Sequence, residues 1–227
     1  MKLDVNEYVE SRLEELAQAK STFERLFYFL EDQELLFIPE GEQWSAIECI
    51  EHLNNTAEHY LPQLTAVCKA EGALESKTLR LGWLATKLRH AMGPDAKMAM
   101  KSPKRVMPRR LINKDLKIAP QKVMENFIAD LAQLERIVRI IPLSPQLRHQ
   151  RITSLIPMLK LESLSALELI IPHIARHLQQ AERILNGGKR AQAQTKNPDL
   201  IYPTAPKEDF LKFGIFYFLK RPTPMPD

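Results

Sequence analysis

Three histidines carry the chemistry that is legible in this chain: His52 in the run QWSAIECIEHL, and His173 with His177 in IIPHIARHLQQ. His173 and His177 are spaced i, i+4, so on a helix both imidazoles leave one face about one turn apart. If the helix carrying His52 packs against that face, three neutral nitrogens can converge on one divalent cation. Three protein ligands that leave a coordination position open suit catalysis better than a closed structural site. Imidazole suits several metals, so the spacing admits Zn, Ni or Fe without choosing among them.

The neighbouring residues leave alternatives open. His59 lies seven positions beyond His52 on nearly the same line of the helix, about 10 Å further along at 1.5 Å per residue. One coordination sphere does not hold both, and spacing alone does not choose between them. Cys49, three residues before His52, reads as a small buried hydrophobe before it reads as a nucleophile or soft ligand. Glu48 could orient His52 from one turn away, but helix capping is its simpler role. Pro172 and Pro62 each delete an i to i−4 bond close to these histidines and tend to bend the helix there.

Other constellations are missing. No Glu-x-x-His pair of the carboxylate-bridged di-iron bundles occurs, and no HExxH, GxGxxG, Walker loop or GxSxG. With only seven glycines, the chain is not a phosphate-cradling α/β enzyme.

The elements that must position the histidines read as four amphipathic helices. The first runs from about residue 5 to 30, with Val9, Leu13, Leu16, Phe23, Phe27 and Leu30 on its apolar stripe and Asp4 with Glu7 as a capping box. The second is opened by Ser45 and Glu48, and Ile50, Leu53, Ala57, Leu64 and Val67 form its stripe. The third begins near Pro120, and Met124, Phe127, Leu131, Leu134, Val138 and Ile141 step by three and four. The fourth is expected to open at Ser165 with Glu168 and to stop at Gly187-Gly188. On it, Ala166, Ile170, Ile174, Ala181 and Ile184 mark the buried side, and His173 and His177 fall within that side. Imidazole is costly to bury without partners, which makes this placement informative.

An all-α four-helix bundle over residues 1–188 follows, with a long insertion at about 72–119 and an extension at 189–227 expected to pack on the bundle. The insertion holds one short helical pattern, GWLATKLRHAM. It then becomes basic: residues 97–117 carry eight Lys/Arg against one Asp. That run reads as a solvated loop first, an anion-attracting rim second and a nucleic-acid patch last, because no helix-turn-helix or interleaved aromatics accompany the charge. In the extension, residues 210–219 are densely aromatic and could pack on the bundle, bridge a homodimer or rest at a membrane interface.

Composition fits an ordinary globular protein, with 44% hydrophobic and 26% charged residues and a net charge of +4. Two cysteines are too few for a disulfide framework. The acidic, amphipathic start has no apolar signal-peptide core, and no 18-residue apolar run is present, so a cytoplasmic location without a transmembrane segment is the expectation.

At Trp44-Ser45 leading to Glu48 and His52-Leu53, and at Leu164-Ser165 leading to His173-x-x-x-His177-Leu178-x-Gln180, the chain resembles the DinB-like superfamily, in its second DinB-like group. The resemblance covers roughly residues 5–186 and implies a metal-dependent four-helix bundle in which His52, His173 and His177 are the metal ligands, in preference to His59. Characterised relatives include transferases and isomerases that use a low-molecular-weight thiol such as bacillithiol, mycothiol or glutathione. The resemblance therefore implies a small-molecule substrate and a metal-dependent thiol transferase, or a hydrolase. The alternative is a non-catalytic interaction or stress-related bundle whose metal is structural or vestigial.

Overall fold

The computed structural model describes residues 2–70, 75–96, 102–114 and 116–196, with side chains through residue 187. Its helices are α1 (Val5–Phe27), α2 (Asp32–Leu36), α3 (Ala46–Cys68), α4 (Trp83–Met92), α5 (Arg109–Ile112), α6 (Pro120–Val138), α7 (Pro145–Arg148) and α8 (Ser163–Lys196). Two antiparallel ribbons join them. One pairs β1 (Leu3–Asp4) with β2 (Thr78–Leu79), the other β3 (Arg151–Thr153) with β4 (Lys160–Glu162). Short 3-10 turns occupy Lys104–Val106 and Ile141–Leu143.

The four long helices α1, α3, α6 and α8 are the bundle, and the described residues are all-α apart from the two ribbons. Their apolar stripes meet in one core that includes Leu16, Phe23, Phe27, Ile50, Leu64, Phe127, Leu134, Ile170, Ile174 and Ala181. On α1, Asp4 caps the helix as expected, its carboxylate accepting from the N–H groups of Asn6 and Glu7 at 2.8 and 3.2 Å. Val9 and Leu13 are only partly buried, because Arg12 turns inward between them.

Cross-helix pairs fix the directions. Arg12 meets Glu168 and Arg25 meets Glu182, so α1 and α8 advance together and run parallel. Asn54 donates to the Val123 carbonyl and Gln133 to Thr65, so α3 and α6 are parallel as well. His52 faces His173 while Glu42, before α3, meets Arg183, so α3 and α8 are antiparallel. The order is up, down, down, up.

That order explains the long segment between α3 and α6. Parallel neighbours need a connection that returns the full length of α3, about 34 Å for its 23 residues. The stretch expected as an insertion is this return path, and its described residues are structured: β2 pairs with β1, α4 packs Ala85 inward, and Lys104–Ile112 lies along the first half of α3.

The fourth helix differs from expectation at both ends. It begins at Ser163, directly after β4, so Glu168 is not its capping residue. Glu168 is fully buried and takes the Tyr8 hydroxyl at 2.6 Å and the Arg12 Nε–H at 2.8 Å. At the other end, the helix continues past Gly187-Gly188 to Lys196. A glycine ends a helix by turning to positive φ, which Gly187 does not do, and the following Lys-Arg-Ala-Gln-Ala-Gln sequence favours helix.

Packing within the chain separates Met1–Lys189 from Arg190–Asp227. The aromatic run at 210–219 and its expected packing lie outside the described residues. Among the described residues, no helix is long and apolar enough to cross a membrane.

Candidate metal centre

His52 stands on the second turn of α3, after Ser45 and Glu48 have set the start of that helix. The Glu48 carboxylate accepts from the Ser45 N–H at 2.8 Å, the capping role expected of it. His173 and His177 stand one turn apart on α8. The antiparallel approach of α3 and α8 brings the three rings together, with one nitrogen of each within 4.8 Å of the others. His52 Nε2 lies 3.3 Å from His173 Nε2, and His177 Nε2 lies 2.9 Å from the same atom.

The tautomer of His52 is fixed from outside the bundle. Its Nδ1–H donates to the Val106 carbonyl at 2.7 Å, which leaves the Nε2 lone pair facing the other rings. Neither Glu48 nor any other carboxylate does this. The orienting group is a backbone oxygen 54 residues away in the return path, and no local sequence signal announces it. The same stretch is tied to α3 at three further points. The Asn55 amide donates to the Met107 carbonyl, the Arg109 N–H donates to Glu51, and Arg110 donates to both oxygens of Glu48 at 2.6 and 3.0 Å. Two arginines of the basic run are thus engaged by α3 carboxylates.

Burial is the main electrostatic influence on the triad. It holds the imidazole of His52 below its ordinary value, although the Val106 hydrogen bond pulls the other way. His173 is pushed down to about 3, by burial first and then by the neighbouring His52 and Arg176. Burial also puts His177 far below the usual range, with His173, His52 and Arg176 adding to the shift and Gln180 opposing it. All three rings are neutral at pH 7, the form that donates a lone pair to a metal.

The donor set fits a cation. A neutral imidazole nitrogen is a donor or an acceptor, never both, so His173 Nε2 cannot satisfy its two neighbours with one proton. His173 Nδ1 is buried without a hydrogen-bond partner among the described residues. Nitrogens about 2.0–2.1 Å from a tetrahedral zinc stand about 3.3 Å apart, which is the His52 to His173 spacing. Trp44, just before α3, covers the cluster, stacking on His177 at 5.9 Å and tilting over His52 at 5.1 Å.

The other candidates fall away from this cluster. His59 Nε2 donates to the Thr153 carbonyl at 3.0 Å, on the β3 side of α3. Cys49 is fully buried, and burial, with Glu42 and Glu48 adding to it, raises its thiol well above the reactive range. Cys68 is raised by burial too. Pro62 and Pro172 sit inside helices that continue through them. Pro172 also marks a close approach of α4: a Cβ added at Gly93 would lie 3.8 Å from Pro172 Cβ.

The sequence profile of the DinB superfamily matches residues 15–181, which covers most of the bundle and all three histidines. The chain belongs to the DinB superfamily. No curated protein and no solved structure matches it significantly.

Proposed function

We propose that this DinB-superfamily protein is a metal-dependent enzyme of small-molecule chemistry, foremost a transferase that uses a low-molecular-weight thiol, working in the cytoplasm. The observation that carries the proposal is the meeting of three neutral imidazole nitrogens beside a cavity that both His52 and His173 line. His52, His173 and His177 would hold one divalent cation. Bound there, Zn, Ni or Fe would supply Lewis acidity that lowers the pKa of a thiol or a water brought to its open face.

The chain's own residues do the rest. Val106 holds His52 in the tautomer that aims Nε2 inward. Trp44 shields the triad on one side and the apolar wall of the cavity on the other, so charge developing there acts in a medium of low dielectric.

Purified protein loaded with Zn, Ni or Fe, mixed with glutathione, bacillithiol or mycothiol and a carbon electrophile, should consume free thiol. His173→Ala should abolish that consumption. Thiol loss that is the same with and without metal contradicts the proposal. Bound metal with no turnover of any thiol favours the second reading, a non-catalytic bundle with a structural ion, and hydrolysis of an ester in place of conjugation assigns water rather than thiol.

A further inference from the structure

The cavity beside the triad is larger and drier than a coordination site requires. It has a volume of about 140 Å³ and opens to solvent, and His52 and His173 form part of its wall. Besides residues of α3 and α8, apolar side chains come from three directions: α4 supplies Leu88, Ala91 and Met92, the segment after it supplies Pro103 and Val106, and the β3–β4 turn supplies Leu155, Ile156 and Leu159. Among the described residues that line it there is no Asp, Glu, Lys or Arg.

Its hydroxyl groups are mostly engaged within the protein. Thr56 donates to the His52 carbonyl at 2.9 Å, and the Ser154 hydroxyl donates to the Ile156 carbonyl at 3.0 Å. Tyr60 accepts from the Leu155 N–H at 3.3 Å. In the metal-free protein, a carboxylate, phosphate or ammonium group placed against this wall would lose hydration without a counter-charge, at a cost in free energy. The rim has the same character as the wall: Ile156 and Leu159 line the cavity and are still 51% and 37% exposed, and Met158 between them is fully exposed.

We infer that this chamber binds a compact, uncharged apolar group of about the size of a benzene ring, presented by the substrate to the histidine face. An apolar cavity of about 150 Å³ holds benzene, so the chamber has room for a group of that size. The inference rests on the small-molecule reading of the triad. Two arginines of the basic run, Arg109 and Arg110, pair with Glu51 and Glu48 and are not among the residues lining the chamber.

The test is saturable binding of toluene, benzoate and benzylamine to the full-length protein, followed by ligand-detected NMR with and without added Zn. In the metal-free protein toluene should bind, and the two charged analogues should bind at least about tenfold more weakly. Ala91→Phe, which fills the chamber from a helical position, should abolish toluene binding while metal content is kept. Met92→Ala should shift preference toward butylbenzene, and it serves as the check if Ala91→Phe fails to fold. Equal binding of toluene and benzoate in the metal-free protein, or toluene binding unchanged in both variants, overturns the inference. Because toluene binding is read with and without Zn, its failure in protein that keeps its metal refutes the chamber alone, whereas loss of metal with toluene still bound refutes the metal reading alone.

Discussion

The Nδ1–H of His52 donates to the main-chain carbonyl of Val106 at 2.7 Å, joining a bundle helix to the segment that returns from α3 to α6. The bond links topology to chemistry. Because α3 and α6 run parallel, the chain must travel back along α3, and on the way it fixes which nitrogen of His52 faces the triad.

The anchor of that segment is therefore a lever on the site. Arg110 holds it to Glu48, a side chain 1% exposed. Arg110→Ala should cost about 1–2 kcal/mol of stability, discounted for the partial exposure of the arginine. It should also weaken metal binding by about 10–100-fold, the usual effect of disturbing a group that orients a ligand. Competition with a chromogenic chelator and urea melts read the two effects separately. Unchanged affinity alongside a stability loss would assign the strap a purely structural role.

A second prediction concerns the buried ion pair between α1 and α8. Glu168 is fully buried, with Arg12 at 2.8 Å, Tyr8 at 2.6 Å and Arg89 at 3.5 Å. Arg12→Ala strands the carboxylate and should cost about 3–5 kcal/mol. Tyr8→Phe removes one hydrogen bond to a charge and should cost about 1.5–3 kcal/mol. Arg89→Ala, longer and more exposed, should cost less than either. Urea denaturation of the three variants gives the order, and an Arg89 effect equal to that of Arg12 would refute it.

The third is a pH dependence. Burial, with Glu58 adding to it, raises the Asp130 carboxyl to about 7. In the unfolded chain the group ionises near 3.8. A raised carboxyl gives the fold its full advantage below the unfolded value and loses it progressively as pH climbs through the folded value. Asp130→Asn should thus stabilise the protein by about 1–2 kcal/mol at pH 8, and its advantage over wild type should vanish toward pH 4. Thermal melts at both pH values check the sign. A variant stabilised equally at both would show that ionisation is not the cause.

Much of this arrangement could be read from residues alone, for a physical reason. Helical period and capping are local, so the stripes of α3 and α6, the Asp4 and Ser45 starts, and the i, i+4 pair His173 and His177 are visible in the chain itself. Spacing alone left His52 and His59 equivalent and only the family resemblance favoured His52; in the fold, α8 crosses α3 near His52 while β3 lies near His59. Glu168 misled because a Ser-x-x-Glu pattern marks a cap only where the helix starts, and β4 starts α8 two residues earlier. Gly187 misled because a glycine stops a helix by its φ, which the sequence does not display. Val106 had no signal at all: its side chain is an ordinary buried valine, and its carbonyl does the work.

The most direct test of the central claim is elemental analysis of the purified wild-type protein beside His173→Ala, each checked for fold by circular dichroism. The account predicts about one divalent cation per wild-type chain and none in the variant at the same helix content. Equal metal in both, or none in either after incubation with Zn, Ni and Fe, would contradict it.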